Sequence, residues 1–225
     1  MNAAIQTNKQ LYLHKSLYEQ YYFFAPTIAI AYLMRKIIAA INMTLDGVCD
    51  HTKGVVDEQL HQHYAELIGS GGVILYGRKT YQLMQFWQEL LTTPSGVASM
   101  DGFARVIHHI PKLIFSNTLL HTGWSTATLA SKPLINTVIE LKQQPGKPIL
   151  VGSRSLIIQL LNSHLVDEFQ ICIHPILAGQ GQRLFEQMNK NILLKLTHTK
   201  LLPSGAIVLY YEPASMGPQA DLTPI

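Results

Sequence analysis

The stretch Pro148 to Leu161, PILVGSRSLIIQLL, restricts the fold more than any other. Ile149 to Val151 is a short apolar run of the kind a buried strand carries. It breaks at Gly152. Ser153-Arg154-Ser155 then opens a helix whose apolar residues Leu156, Ile157, Leu160 and Leu161 fall on one face. Strand, glycine, small polar residues and helix together aim backbone N–H groups at an anion. The glycine lets the backbone come close, the helix N-terminus carries partial positive charge, and Arg154 adds a full one. The same residues suit a plain strand-to-helix turn with Ser153 as N-cap. The stretch by itself does not choose between the two.

A second junction repeats the layout. Val73 to Tyr76 is an apolar run, and Gly77-Arg78-Lys79-Thr80 opens a helix through Tyr81, Met84 and Gln85. Cations in a first turn oppose the helix dipole. A bound phosphate reverses that cost, and a solvated turn is the alternative. Two such junctions on one chain point to a shared phosphate-rich ligand.

The rest of the chain supplies the sheet around them. Ile37 to Ile41 is a strand fit for burial on both faces. Asn42 to Gly47 leaves it and turns at Asp46-Gly47. Asp57 to Ile68 reads as a helix, and Phe86 to Met100 as a loop. Asp101 caps a short helix over Phe103 to Ile110. Leu113 to Phe115 and Trp124 to Leu129 are further strands, Pro133 to Gln143 a helix, and Val166 to His174 a strand. Leu193 to Leu201 and Ala206 to Glu212 form a hairpin around Pro203-Ser204-Gly205. Strands alternating with helices and closing on a hairpin give an α/β fold: a mostly parallel central sheet with an antiparallel C-terminal edge. Ligands of such sheets bind at the carboxyl ends of the strands. Asn42 to Gly47, Gly77 to Thr80, Ser116 to Thr118 and Gly152 to Ser155 all lie there.

Of the 225 residues, 48% are hydrophobic and 14% charged, which excludes a disordered chain. A net charge of +3, scattered along the sequence, gives no electrostatic footprint for nucleic acid. Two cysteines, Cys49 and Cys172, set no disulfide framework and read as small apolar residues in a reducing, cytoplasmic setting. There are ten histidines, but none shows metal-ligand spacing. The apolar run Tyr21 to Leu33, broken by Pro26, is too short to span a membrane. It has some features of a signal peptide. Met34, directly before the first strand, gives a clean alternative start. Residues 1–33 are therefore set apart as an N-terminal extension, residues 34–213 form a single domain, and 214–225 form a flexible tail.

The pieces MTLDG (43–47), LYGRKTY (75–81), PKLIFSNTL (111–119), ILVGSRSL (149–156) and LVDEFQICIHPILAGQGQRLF (165–185), in this order, resemble the dihydrofolate-reductase-like superfamily. Within it they are most similar to the reductase domain of the riboflavin-biosynthesis deaminase-reductase. The resemblance implies a three-layer fold, an NADPH site, a small heterocyclic substrate such as a ribosylamino-pyrimidine, and a homodimer. It places Gly77, Arg78 and Thr80 at the pyrophosphate and adenosine end, and Ser116 beside the 2′-phosphate. Val151, Gly152, Ser153, Arg154, Ser155 and Leu156 match the second pyrophosphate turn. The nicotinamide would lie near Ala39, Ala40 and Thr44, with Asp46 on the neighbouring loop. Thr44, Asp46 and a water between them are the candidate proton source, and Asp46 equally suits a plain turn beside Gly47. His174, before a proline at a strand end, reads as structural. Asp57 and Glu58 are the only acids near the position where a dihydrofolate reductase grips its pterin, and the preceding loop has no tryptophan. A ribosylamino-pyrimidine thus fits better than folate. A module that binds NADPH without turnover, and a pterin-type reductase, are the other readings.

Overall fold

The structure, a computed structural model, describes residues 34–189 and 191–214. The expectations for residues 1–33 and for the tail beyond Ala214 lie outside them. The apolar runs become the strands of one eight-stranded sheet. They are β1 (Ile37–Thr44), β2 (Val73–Gly77), β3 (Lys112–Phe115), β4 (Ala127–Leu129), β5 (Ile149–Val151), β6 (Glu168–His174), β7 (Leu194–Leu201) and β8 (Ile207–Pro213). Their order is β4-β3-β2-β5-β1-β6-β8-β7. β1 lies between β5 and β6, with Ala39 opposite Val151 on one side and Phe169 on the other. Strands β4 to β6 in that order all pair in parallel. β8 runs antiparallel to both of its neighbours, β6 and β7. The C-terminal edge is thus the expected hairpin, with β8 inside and β7 outermost.

Helices cover both faces because the central strands alternate two apolar sets. Ile37 and Ala39 join one core with Leu134 and Val138 of α5 (Leu134–Lys142) and with Leu156, Ile157, Leu160 and Leu161 of α6 (Arg154–Asn162). Ile38 faces the other core, with Ile68 of α1 (Glu58–Ser70), Tyr81 of α2 (Arg78–Met84), and Phe103 and Ile107 of α4 (Ala98–His109). Each fully buried Leu or Ile contributes roughly 1.5–3 kcal/mol of transfer free energy. Asp57 caps α1 by accepting the Leu60 N–H at 2.6 Å, and its other oxygen accepts the Ser204 N–H at 3.0 Å. The cap therefore also fastens the hairpin turn.

Four local expectations are corrected. β1 runs three residues further, to Thr44, because Asn42, Met43 and Thr44 pair with Cys172, Ile173 and His174. A short helix, α3 (Phe86–Glu89), interrupts the expected loop. α4 begins at Ala98, so Asp101 lies inside its first turn and accepts the N–H and hydroxyl of Ser95 instead of capping. Trp124 is a buried plug before β4, not part of it, and donates its indole N–H to His108 Nδ1 at 3.1 Å. Lys112 is buried beneath it. Its ammonium donates to the Ile110 carbonyl at 2.9 Å and to Thr126 Oγ1 at 2.8 Å, and lies 4.1 Å from the Trp124 ring. Burial pushes its pKa down to about 8. No helix among the described residues is long and apolar enough to cross a membrane.

Candidate functional site

Ser116, Gly77, Gly152 and the end of β1 occupy the carboxyl ends of four neighbouring strands, β3, β2, β5 and β1. Adjacent strands lie about 4.8 Å apart, so three steps span roughly 14 Å, the scale of an extended dinucleotide. The two glycine turns meet. The Gly77 N–H donates to Ser153 Oγ at 2.9 Å, and a Cβ on Gly77 would lie 3.5 Å from Ser155 Oγ. The Ser153 hydroxyl is therefore turned to β2 and does not cap α6, and α2 has no side-chain cap either. In α6 the Leu156 N–H turns back to the Ser153 carbonyl at 3.1 Å, so the N–H groups left for an outside acceptor are those of Arg154 and Ser155 there and of the first turn of α2. Gly152 is required by close approach: a Cβ there would sit 2.9 Å from Tyr76 Cε1.

The cations are arranged unequally. Arg78 and Lys79 are exposed, and Arg78 reaches Gln82 Oε1 at 3.5 Å along its own helix. Thr80 is half-buried in the same turn. On the next strand, Ser116 Oγ accepts the N–H groups of Thr118 at 3.1 Å and Leu119 at 2.9 Å, which leaves its own proton free to donate. Arg154 is tied down: Nε donates to the Arg183 carbonyl at 2.7 Å, and Nη2 faces Glu186 Oε2 at 3.5 Å. Ser155 is exposed at the mouth of its turn. Val151 and Leu156 are buried with their side chains in the core, so only their backbone faces the turn.

At the end of β1 the structure brings Thr44 and Asp46 together. Thr44 is buried; its hydroxyl donates to Asp46 Oδ1 and accepts the Val48 N–H at 3.0 Å. Asp46 Oδ1 also accepts the Ala178 N–H at 3.1 Å, and Oδ2 accepts the Gly179 N–H at 2.8 Å. The hydroxyl and these two amides hold the Asp46 pKa down to about 2. Arg183 Nη1 donates to the Asp46 carbonyl at 2.6 Å, and Val48 bridges to Arg183. The turn at Gly47, with φ at +85°, is therefore clasped to the loop after β6. The carboxylate is an acceptor with protein donors on both oxygens. Ala40 lies half-buried four residues earlier, opposite Gln170.

One group was not legible as a unit. Asn42 Oδ1 accepts the Tyr64 hydroxyl at 2.8 Å and lies 3.2 Å from His174 Nε2, while the Val55 N–H donates to His174 Nδ1 at 3.2 Å. Its members come from β1, α1 and β6. The one signal in the sequence is a polar residue, Asn42, continuing an apolar strand. Asp57 does not supply a pterin-gripping acid, since both its oxygens hold backbone N–H groups.

Residues 35–208 match the family described as the RibD C-terminal domain. YyaP, an uncharacterised Bacillus subtilis protein, is 31% identical over 182 residues, which cover 79% of this chain and 95% of that protein. A deaminase/5-amino-6-(5-phosphoribosylamino)uracil reductase from Thermotoga maritima superposes with a TM-score of 0.57 at 13% identity, covering 80% of this chain and 57% of the other. Dihydrofolate reductase from Enterococcus faecalis, complexed with NADP(H), superposes with a TM-score of 0.52 at 10% identity, covering 80% and 97%. At such identities the two structures speak for the fold. The chain belongs to the RibD C-terminal domain family and has the dihydrofolate-reductase-like fold.

Proposed function

We propose that this protein is an NADPH-dependent reductase of a small heterocyclic substrate, resembling 5-amino-6-(5-phosphoribosylamino)uracil reductase. One observation carries the reading: two uncapped helix N-termini, joined by the Gly77–Ser153 hydrogen bond, lie one and two strands from Ser116, with Arg78 exposed in the first turn of the nearer one. This donor set fits a dinucleotide. The first-turn amides of α2 and α6, with Thr80 and Ser155, would hold the pyrophosphate. Arg78 and the Ser116 hydroxyl would hold the 2′-phosphate. The cofactor, when bound, would supply a hydride from its nicotinamide C4 to a carbonyl or imine carbon of the substrate. Half-buried Ala40 leaves room for a flat ring against β1. Asp46, ionised above a pH of about 2, cannot donate the balancing proton to the substrate heteroatom. In this reading Asp46 and Thr44 shape the turn, and solvent provides the proton.

A binding module without turnover is the second reading, supported by the same occupied carboxylate, since among the described residues the Asp46 carboxylate offers no proton at the end of β1. Turnover distinguishes the two, because only a reductase oxidises NADPH when given substrate. We further propose a homodimer, supported by the exposed apolar residues of the terminal hairpin: Leu196 is 48%, Leu201 71% and Ile207 40% exposed. The free thiols of Cys49 and Cys172 suit a cytoplasmic setting. The test is calorimetric titration of the full chain with NADPH and with NADH at fixed salt. Tight NADPH binding with much weaker NADH is expected, and failure to bind either removes the reductase reading.

A further inference from the structure

We infer that Asn42 determines substrate specificity by presenting its side-chain amide N–H groups to a ring carbonyl of the substrate. The inference rests on the reductase reading and adds the chemistry that the substrate must carry. It follows from proton positions that a backbone group fixes. The Val55 N–H can only donate, so His174 Nδ1 must accept, and the proton of the neutral ring sits on Nε2. Burial holds the His174 pKa below the usual imidazole range, which keeps the ring neutral. Nε2 then donates to the Asn42 atom 3.2 Å away, which must be the oxygen. Tyr64 donates to the same oxygen at 2.8 Å, and burial keeps its phenol protonated.

Both lone pairs of Oδ1 are therefore engaged, and the orientation of the amide is set. Among the described residues Nδ2 has no hydrogen-bond partner, and Asn42 is exposed. The residues that aim it are held firmly. His174 is 1% exposed, and its ring lies in van der Waals contact with the backbone at Gly54. Asn42 follows Ala40 by two residues, so both side chains leave the same face of β1. The donor thus stands beside the place proposed for the nicotinamide. The nearby Asp57 carboxylate does not compete, because Leu60 and Ser204 occupy its oxygens. A neutral, fixed donor favours a ring oxygen acceptor over a ring amino group, and Tyr64 and His174 are positioning residues for it.

The experiment compares uracil, which carries an oxo group at ring position 4, with cytosine, which carries an amino group there, as calorimetric probes on the full chain saturated with NADP+. The wild type should prefer uracil by roughly three- to tenfold, the scale of one neutral hydrogen bond. Asn42→Asp, an acceptor of the same shape, should invert the preference. Tyr64→Phe frees one lone pair and should narrow it while leaving NADPH affinity unchanged, which also covers an Asn42→Asp protein that fails to fold. Equal affinity of the wild type for the two probes, binding of neither, or a preference untouched by Asn42→Asp or by Tyr64→Phe overturns the inference. NADPH titrated separately keeps the outcomes apart: intact NADPH binding with no Asn42-dependent preference sinks this inference alone, and loss of NADPH binding in the wild type sinks the reductase reading.

Discussion

Arg78 and Arg154 each follow a strand-ending glycine and open a helix, yet Arg78 is exposed while Arg154 is bound to the Arg183 carbonyl and faces Glu186. The loop after β6 makes the difference. It crosses the end of β1, where Asp46 and Val48 fasten it, and reaches the α6 turn on β5. A cation at a helix N-terminus is unfavourable unless an anion neutralises it. At α6 this chain supplies Glu186. At α2 the first turn holds no acid, and Arg78 and Lys79 stand exposed to solvent. Two junctions with one sequence pattern therefore have different roles: one is an anchor for a loop, and the other is open to solvent.

The comparison can be broken in four ways. The largest effect is expected at the open junction. Arg78→Ala should weaken NADPH by roughly 10- to 100-fold, the scale of about 1.5–3 kcal/mol for a charge-assisted phosphate contact, and should leave NADH nearly unchanged. Equal losses for the two nucleotides in parallel titrations would move the 2′-phosphate away from Arg78. The glycines come next. Gly152→Ala forces a Cβ to 2.9 Å from the Tyr76 ring and should destabilise the fold by about 1–3 kcal/mol in urea unfolding. Gly77→Ala meets its nearest atom at 3.5 Å and should cost clearly less; a reversed order would mean that the ring of Tyr76 moves aside freely.

Ser153→Ala removes the acceptor of the buried Gly77 N–H, an expected loss of about 1–2 kcal/mol. A neutral result by the same unfolding assay would show that water replaces the hydroxyl. The smallest effect concerns acid. The folded pKa of Asp46 is depressed to about 2 from 3.8, so its contribution is present above 3.8 and is lost as pH falls through about 2. Amide exchange at Ala178 and Gly179 should quicken in that window, with no matching change at Arg78 and Lys79. Simultaneous quickening at both sites would show global unfolding and not release of the clasp.

The fold was readable wherever local chemistry decided it. Asp57 announced α1, Pro133 and Gly146 bracketed α5, and the apolar runs marked the strands. Misreadings fell where distant residues decided. Asn42 to Thr44 look like a turn until β6 pairs with them. Trp124 looks like the start of a strand until it packs over the buried Lys112. Asp101 looks like a cap until Ser95 takes its carboxylate. The site divides in the same way. The glycine turns follow from short spacing, whereas the anchoring of Arg154 depends on residues 29 and 32 positions away. The Asn42–His174 contact spans 132 positions, a separation that no local pattern encodes.

The position of β8 has a consequence for synthesis. Residues 207–213 form the last strand among the described residues, yet they lie between β6 and β7. A nascent chain that has not released them exposes one bare edge on β6 and leaves β7 with no neighbour at all. Such edges pair readily with strands of other molecules. The sheet closes only when its final ribbon slides into the gap, so assembly ends at the inside of the sheet and not at its rim. Premature termination before Ile207 would therefore leave an adhesive intermediate, not a slightly smaller protein.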